Sequence, residues 1–316
     1  MCICYYAHGI QDSDVNVIEK KEISRGMKTN KKTHTQEPTL GVIKAHDGID
    51  LAYACYVPQI PCASLLLYHG SGVNGLAGYT YMAEQLALKY NIATYLFDMR
   101  GHGRSGGLRG HVTDPADIWH DVRTAMEYVQ AGSPQLPIFL GGHSGGASML
   151  LNYQLWQNKK DPQGYFFIAP AFGPQAGVNR TRITKNIKRR PFVEINHWVL
   201  LMHYLTGGYI AGDWCAATFN YPDHLVANRG FITSYTANMV SALAPRDAVR
   251  SLQQISVPLH IYIADQDELF DPVKTDCFLE TIVQGNKNIT TMHLPDAHHL
   301  TILGCVHDFI GVWVKA

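Results

Sequence analysis

A chain of 316 residues that is 46% hydrophobic and 16% charged can bury a large core, which excludes disorder of the whole chain. Its 26 basic and 26 acidic side chains cancel, so no bulk field draws it to nucleic acid, and no stretch approaches the roughly 18 apolar residues of a membrane span. Seven cysteines, odd in number and without framework spacing, fit reduced thiols and a cytoplasmic location.

Residues 1–39 are expected to be a flexible leader. The start, MCICYYAHGI, is apolar but short, lacks a basic region and runs into Asp12 and Asp14, which argues against a secretory signal. Cys2 and Cys4 are candidate lipid attachment points, against the simpler reading of a loosely docked arm. Order is expected from Leu40, where two strand-like runs flank Asp47-Gly48 as a hairpin.

Strand-like and helix-like segments then alternate. Strands are expected at 63–68, 92–97, 136–140, 165–168, 259–263 and 289–294. Helices are expected at 79–90, at 115–130 with Thr113 or Asp114 as cap, after Ser144, and at 245–252, 272–283 and 299–314. Such alternation predicts a mostly parallel sheet covered on both faces, with functional residues at the carboxyl ends of the strands. The core is expected over 40–171 and 240–316.

Residues 172–239 break the alternation. They hold a basic run (Arg180, Arg182, Lys185, Lys188, Arg189, Arg190) and an apolar, aromatic stretch, and are expected to form a lid over the strand ends. Trp198, Leu201, Tyr204, Tyr209 and Trp214 are the candidate substrate-binding side chains, although each of them equally suits the lid's own core. The basic run reads as a solvated helix face, with an anion or membrane site as the alternative.

The chemistry centres on 136–151, LPIFLGGHSGGASMLL. A buried strand enters a turn with glycines on both sides of Ser144 and leaves as a helix, so a serine in strained backbone can expose its hydroxyl above the sheet. A glycine-rich turn with a serine N-cap gives the same short pattern, so the rest of the chain must decide. A serine hydroxyl needs a histidine base, and the histidine needs a carboxylate. Asp265, Asp267 and Asp271 follow one late strand, and His298 and His299 follow the next, in the order Ser, Asp, His. Oxyanion donors are expected from the backbone N–H groups of Gly145 and of Ser71, in the HGSG segment after the 63–68 strand.

These residues resemble the α/β-hydrolase superfamily, in particular its monoacylglycerol lipase and lysophospholipase branch with serine aminopeptidase-like members. The carrying motifs are HGSG at His69, FDMRGHGRSGG from Phe97, GHSGG at Gly142, DELFDP at Asp267 and DAHH at Asp296. The resemblance implies an α/β-hydrolase fold with an inserted cap, Ser144 as nucleophile, Asp267 as acid and His299 as base. His298 stays as an alternative base, because Asp296 stands where the family usually has glycine, and Asp265 is the runner-up acid. Gly145 replaces a usually bulky residue, which suggests a looser elbow or a wider pocket floor. His102 and Arg104 are expected to order the loop beside the pocket.

The implied activity is cleavage of a carboxylic ester, on a monoacylglycerol or lysophospholipid, through an acyl-enzyme and without cofactor or metal. No HExxH spacing occurs among the sixteen histidines. A short-chain esterase, a serine aminopeptidase and a non-catalytic ligand receptor remain the alternatives. The expected partner is a small lipid or ester substrate, with peripheral membrane contact through the lid and basic run.

Overall fold

The computed structural model describes residues 36–180 and 192–316. The proposed lipid sites Cys2 and Cys4, and Arg182, Lys185, Lys188, Arg189 and Arg190 of the basic run, lie outside these residues.

An eight-stranded sheet forms the centre, in the spatial order β1-β2-β4-β3-β5-β6-β10-β11. Its strands are β1 (Thr39–Lys44), β2 (Asp50–Tyr56), β3 (Ala63–Tyr68), β4 (Ile92–Phe97), β5 (Ile138–His143), β6 (Gly164–Ile168), β10 (Leu259–Ala264) and β11 (Ile289–Leu294). β1 with β2 and β2 with β4 are antiparallel, while β4 through β11 run parallel. β3, β5 and β6 are buried along their whole length, as continuous apolar runs between two helical layers must be.

On one face, α1 (Thr80–Tyr90) and α9 (His307–Lys315) bring Met82, Leu86 and Ile310 into a cluster with Leu65, Leu67 and Phe166. On the other face lie α2 (Pro115–Gly132), α3 (Gly145–Leu155) and α8 (Pro272–Gly285), which pack Val122, Met126, Leu150 and Ile282 against Leu66, Leu140 and Ile261. Both long outer helices start at Asp-Pro. Asp114 accepts from Ala116 N–H, and Asp271 from Val273 and Lys274 N–H, so each carboxylate satisfies end donors that the helix cannot.

The interruption carries structure that its apolar sequence did not announce. A second, three-stranded sheet, β7 (Val193–Ile195), β8 (Cys215–Phe219) and β9 (Ser234–Thr236), is interleaved with α4 (His197–Leu205) and α5 (Asp223–Arg229). α6 (Ala237–Leu243) follows β9 and packs on α2 and α3 of the core as well as on β8, β9 and α4 of the insertion, so a boundary at 239/240 cuts through a helix that bridges the two. α7 (Ala248–Gln253) starts later than expected, at the Asp247 cap, whose side chain accepts from Arg250 N–H. The expected last helix also divides. Thr301–Gly304 is a short 3-10 turn before α9, which leaves His299 on a loop.

Candidate active site

The turn between β5 and α3 holds Ser144 at φ 51°, ψ −115°, a conformation that a non-glycine residue adopts only when its surroundings impose it. Two interactions impose it here. Ser144 N–H donates to Ile168 O of β6 at 3.0 Å, and α3 begins at once, with Ser148 N–H donating to Ser144 O at 3.2 Å. The helix also presses so close to β3 that any Cβ at Gly146 would overlap Tyr68 O. Ser144 Oγ has no hydrogen-bond partner among the described residues, and Ser144 lines a cavity of about 400 Å³ together with His299.

His299 comes from the loop after β11 and Asp267 from the end of β10. Asp267 Oδ2 stands 2.7 Å from His299 Nδ1, and both side chains are buried. The second carboxylate oxygen, Oδ1, accepts from Leu269 N–H at 2.7 Å and Phe270 N–H at 2.9 Å. Burial works against the His299 imidazolium, but the Asp267 charge and hydrogen bond outweigh it and hold its pKa above the ordinary histidine value. The two alternatives from the sequence are engaged elsewhere. Asp265 is 2.5 Å from His293 Nδ1, and His298 lies outside, 3.6 Å from Glu268.

The loop after β3 is clasped by three tyrosine hydroxyls. Gly70 N–H donates to Tyr79 Oη at 2.8 Å, Gly72 N–H donates to Tyr235 Oη at 2.6 Å, and Tyr221 O–H donates to Ser71 O at 2.6 Å. Two of these bonds continue into buried histidines. Tyr79 O–H donates to His143 Nδ1 at 2.9 Å, and His143 Nε2–H donates to the His299 carbonyl at 3.0 Å. Tyr235 O–H donates to His102 Nε2 at 2.6 Å, and His102 Nδ1–H donates to Arg100 O at 3.0 Å. Each chain needs a neutral histidine, and burial provides one by holding His143 and His102 down at about 3, helped by the nearby His299 and His69 respectively. The loop after β3, the serine turn and the histidine loop are thereby joined through one set of hydrogen bonds.

None of the three tyrosines carried a sequence signal, since 17 tyrosines are spread along the chain. His143 had one, as the residue before Ser144, but its partners could not be read from it. His102 is buried in the network just described. Arg104 N–H donates to Asp98 Oδ2 at 2.9 Å, and Asp98 Oδ1 accepts from Gly75 N–H at 2.7 Å. Arg180, the one described member of the basic run, donates from Nε to the Asp267 carbonyl.

Two sequence expectations need correction. A wider floor at Gly145 does not result, because Ser71 Oγ already fills the place that a Cβ there would take. Trp198, Leu201, Tyr204, Tyr209 and Trp214 do not reach the cavity. They lie on α4 and the turns after it, on the outer side of the insertion, with Trp198 74% and Tyr209 96% exposed. The cavity wall comes instead from the small sheet and its flanks, among them Phe192, Ile195, Phe219, Leu225 and Phe231. Alternation turns Val193 and Ile195 of β7, and Ala217 and Phe219 of β8, to the cavity, while Phe192, Leu225 and Phe231 reach it from the flanking loops and α5.

A metal has no evident seat among the described residues. His46, Asp47 and Asp117 approach one another within 4.8 Å, but the Arg100 guanidinium already lies 2.6 Å from Asp47 and 3.7 Å from Asp117.

A parallel sheet bearing a strained serine after β5, with a carboxylate–imidazole pair delivered from β10 and β11 to the same cavity, defines an α/β-hydrolase fold. The serine aminopeptidase S33 family matches residues 59–303, and the chain belongs to it. Human monoglyceride lipase is 22% identical over 266 residues, covering 81% of this chain and 83% of that protein. A monoacylglycerol lipase of Mycolicibacterium smegmatis is 31% identical over 107 residues, 34% of this chain. An uncharacterized abhydrolase domain-containing protein of Dictyostelium discoideum is 27% identical over 135 residues, and the matched stretch is only 14% of its length and 38% of the length of the M. smegmatis protein, well under two thirds of either. Among solved structures, a soluble variant of monoglyceride lipase from Saccharomyces cerevisiae in complex with a substrate analog superimposes with a TM-score of 0.66 at 16% identity, over 90% of this chain and 97% of that one.

Proposed function

We propose that this protein is a serine ester hydrolase acting on lipids with a single acyl chain, of the monoacylglycerol or lysophospholipid type. The observation that carries the reading is the cavity at Ser144. Its wall is aliphatic and aromatic, and among the described residues it holds no acidic side chain and only Arg229 as a permanent charge. Such a wall accepts an acyl chain and offers nothing to hold the free ammonium group an aminopeptidase must recognise.

In this reading His299 takes the Ser144 proton as Oγ attacks the ester carbonyl carbon, and the oxyanion rests on Ser71 N–H and Gly145 N–H. Asp267 keeps the His299 Nδ1 proton in place, so that Nε2 is the basic nitrogen, and steadies the imidazolium. Collapse of the tetrahedral species breaks the bond to the alcohol, which leaves with the proton from His299. Water, deprotonated by His299, then releases the acid and restores Ser144.

The outer side of the insertion supports a lipid surface as the place of reaction. Between His197 and Trp214 the only charged residue is Asp213, and soluble proteins rarely expose so apolar a stretch without a partner. Tryptophan and tyrosine are the side chains that settle at a lipid–water boundary.

The test is a panel of p-nitrophenyl esters from two to sixteen carbons, 1-monoacylglycerol, lysophosphatidylcholine and aminoacyl anilides, with Ser144→Ala as blank. Each buried methylene contributes about 0.8 kcal/mol, so kcat/KM should rise by more than about tenfold from acetyl to longer acyl groups. Preference for the anilides, or full activity in Ser144→Ala, would overturn the reading.

A further inference from the structure

The loop after β3 carries three consecutive backbone N–H groups, at Gly70, Ser71 and Gly72, of which Gly70 and Ser71 line the cavity. The outer two are occupied, Gly70 by Tyr79 Oη and Gly72 by Tyr235 Oη. The Ser71 N–H between them has no acceptor among the described residues, and the Ser71 carbonyl is turned away to accept from Tyr221 O–H. The peptide groups on either side of the Ser71 N–H are thus held by tyrosine hydroxyls, with that N–H unspent.

Ser71 brings a second donor. Its Oγ lies against Gly145, the first residue of α3, so that a Cβ on Gly145 would overlap Oγ and meet Ser71 N at 3.0 Å. Oγ therefore sits beside both backbone groups that face the position of an oxyanion. It has no hydrogen-bond partner among the described residues, and Ser71, only part-buried, lines the cavity beside Ser144. A hydroxyl that served only to brace the loop would bond to part of it. This one does not, and the tyrosine clamps already brace the loop.

We infer that the Ser71 hydroxyl is a third oxyanion donor, so that Ser71 gives both its backbone N–H and its side-chain O–H to the negative oxygen of the tetrahedral species. The hydroxyl keeps its proton throughout. It rotates toward the oxygen as charge develops there, and so favours the transition state over the bound ester. Because the oxygen is the same for every ester, the effect is independent of acyl length. The pairing also accounts for glycine at 145, since any larger residue would displace the donor. The inference rests on the proposed role of Ser144.

Ser71→Ala keeps the backbone N–H and removes only the hydroxyl, while Ser71→Thr keeps a hydroxyl on the same atom. For a p-nitrophenyl ester, Ser71→Ala should lower kcat on the order of 10²-fold, the usual effect of one lost donor, with KM within about twofold of wild type. Affinity for an alkyl boronic acid, whose tetrahedral adduct carries the same oxyanion, should fall by a similar factor, and the denaturation midpoint should not move. Ser71→Thr should recover most of the loss. A kcat within about twofold of wild type in Ser71→Ala overturns the inference while Ser144-dependent turnover upholds the hydrolase reading. So does a loss carried by KM, a boronate affinity that does not change, or a Ser71→Thr protein as impaired as Ser71→Ala. If the wild-type protein shows no Ser144-dependent turnover, the hydrolase reading fails and this inference falls with it.

Discussion

Tyr235→Phe isolates the coupling between the insertion and the core. The change removes one oxygen and preserves the ring, so its edge-on contact with Phe219, with centroids 4.7 Å apart, is kept. The lost oxygen accepts from Gly72 N–H and donates to His102 Nε2, each at 2.6 Å and each inside the protein. Both partners are left without a mate where water has little access. An orphaned buried group costs about 1–3 kcal/mol, so the loss should be about 2–6 kcal/mol of folding stability. Tyr221→Phe is the control. It removes a single donor from Ser71 O, at a part-buried bond, and leaves one group rather than two without a mate, so it should cost about 1 kcal/mol. Urea denaturation followed by tryptophan fluorescence measures both variants. Turnover should fall more than stability alone explains, because Gly72 adjoins the donor residue Ser71. If Tyr235→Phe unfolds within about 0.5 kcal/mol of wild type, the hydroxyl does not clasp the loop as described.

Two further outcomes follow from the site. In the proposed mechanism His299 works as a base only when neutral, and its pKa lies above the usual value because Asp267 outweighs burial, so kcat/KM should decline as pH falls through a point above 6.5. Asp267→Asn removes the main charge that raises the pKa and leaves burial opposed only by Glu268, so the acid limb should move to lower pH while kcat drops on the order of 10⁴-fold; a limb that stays in place would separate His299 from Asp267. Replacing Trp198 and Tyr209 together with Ser should reduce sedimentation with vesicles of mixed neutral and anionic lipid by more than about tenfold, with kcat/KM on a soluble ester unchanged; undiminished binding would remove the lipid-surface assignment.

Much of this protein was legible in the order of its residues. The two-faced strands β3, β5 and β6 are unbroken apolar runs, the Asp-Pro pairs at 114–115 and 271–272 start helices, and glycines around Ser144 announce a turn that few other residues allow. These are local properties, set by side-chain periodicity, capping and backbone freedom within a few residues. Tertiary structure alone decided how distant pieces meet. Asp267, rather than Asp265, faces His299, because His293 of the neighbouring strand β11 holds Asp265. The later part of the insertion reads as apolar, and only the pairing of β7, β8 and β9 turned Ile195 and Phe219 toward the cavity while Trp198 and Tyr209 were left outside. Tyr79, Tyr221 and Tyr235 lie up to 156 positions apart and have no common pattern along the chain. Their hydroxyls converge on three adjacent residues because a buried N–H or C=O must find a partner, and in this fold those oxygens are the partners within reach.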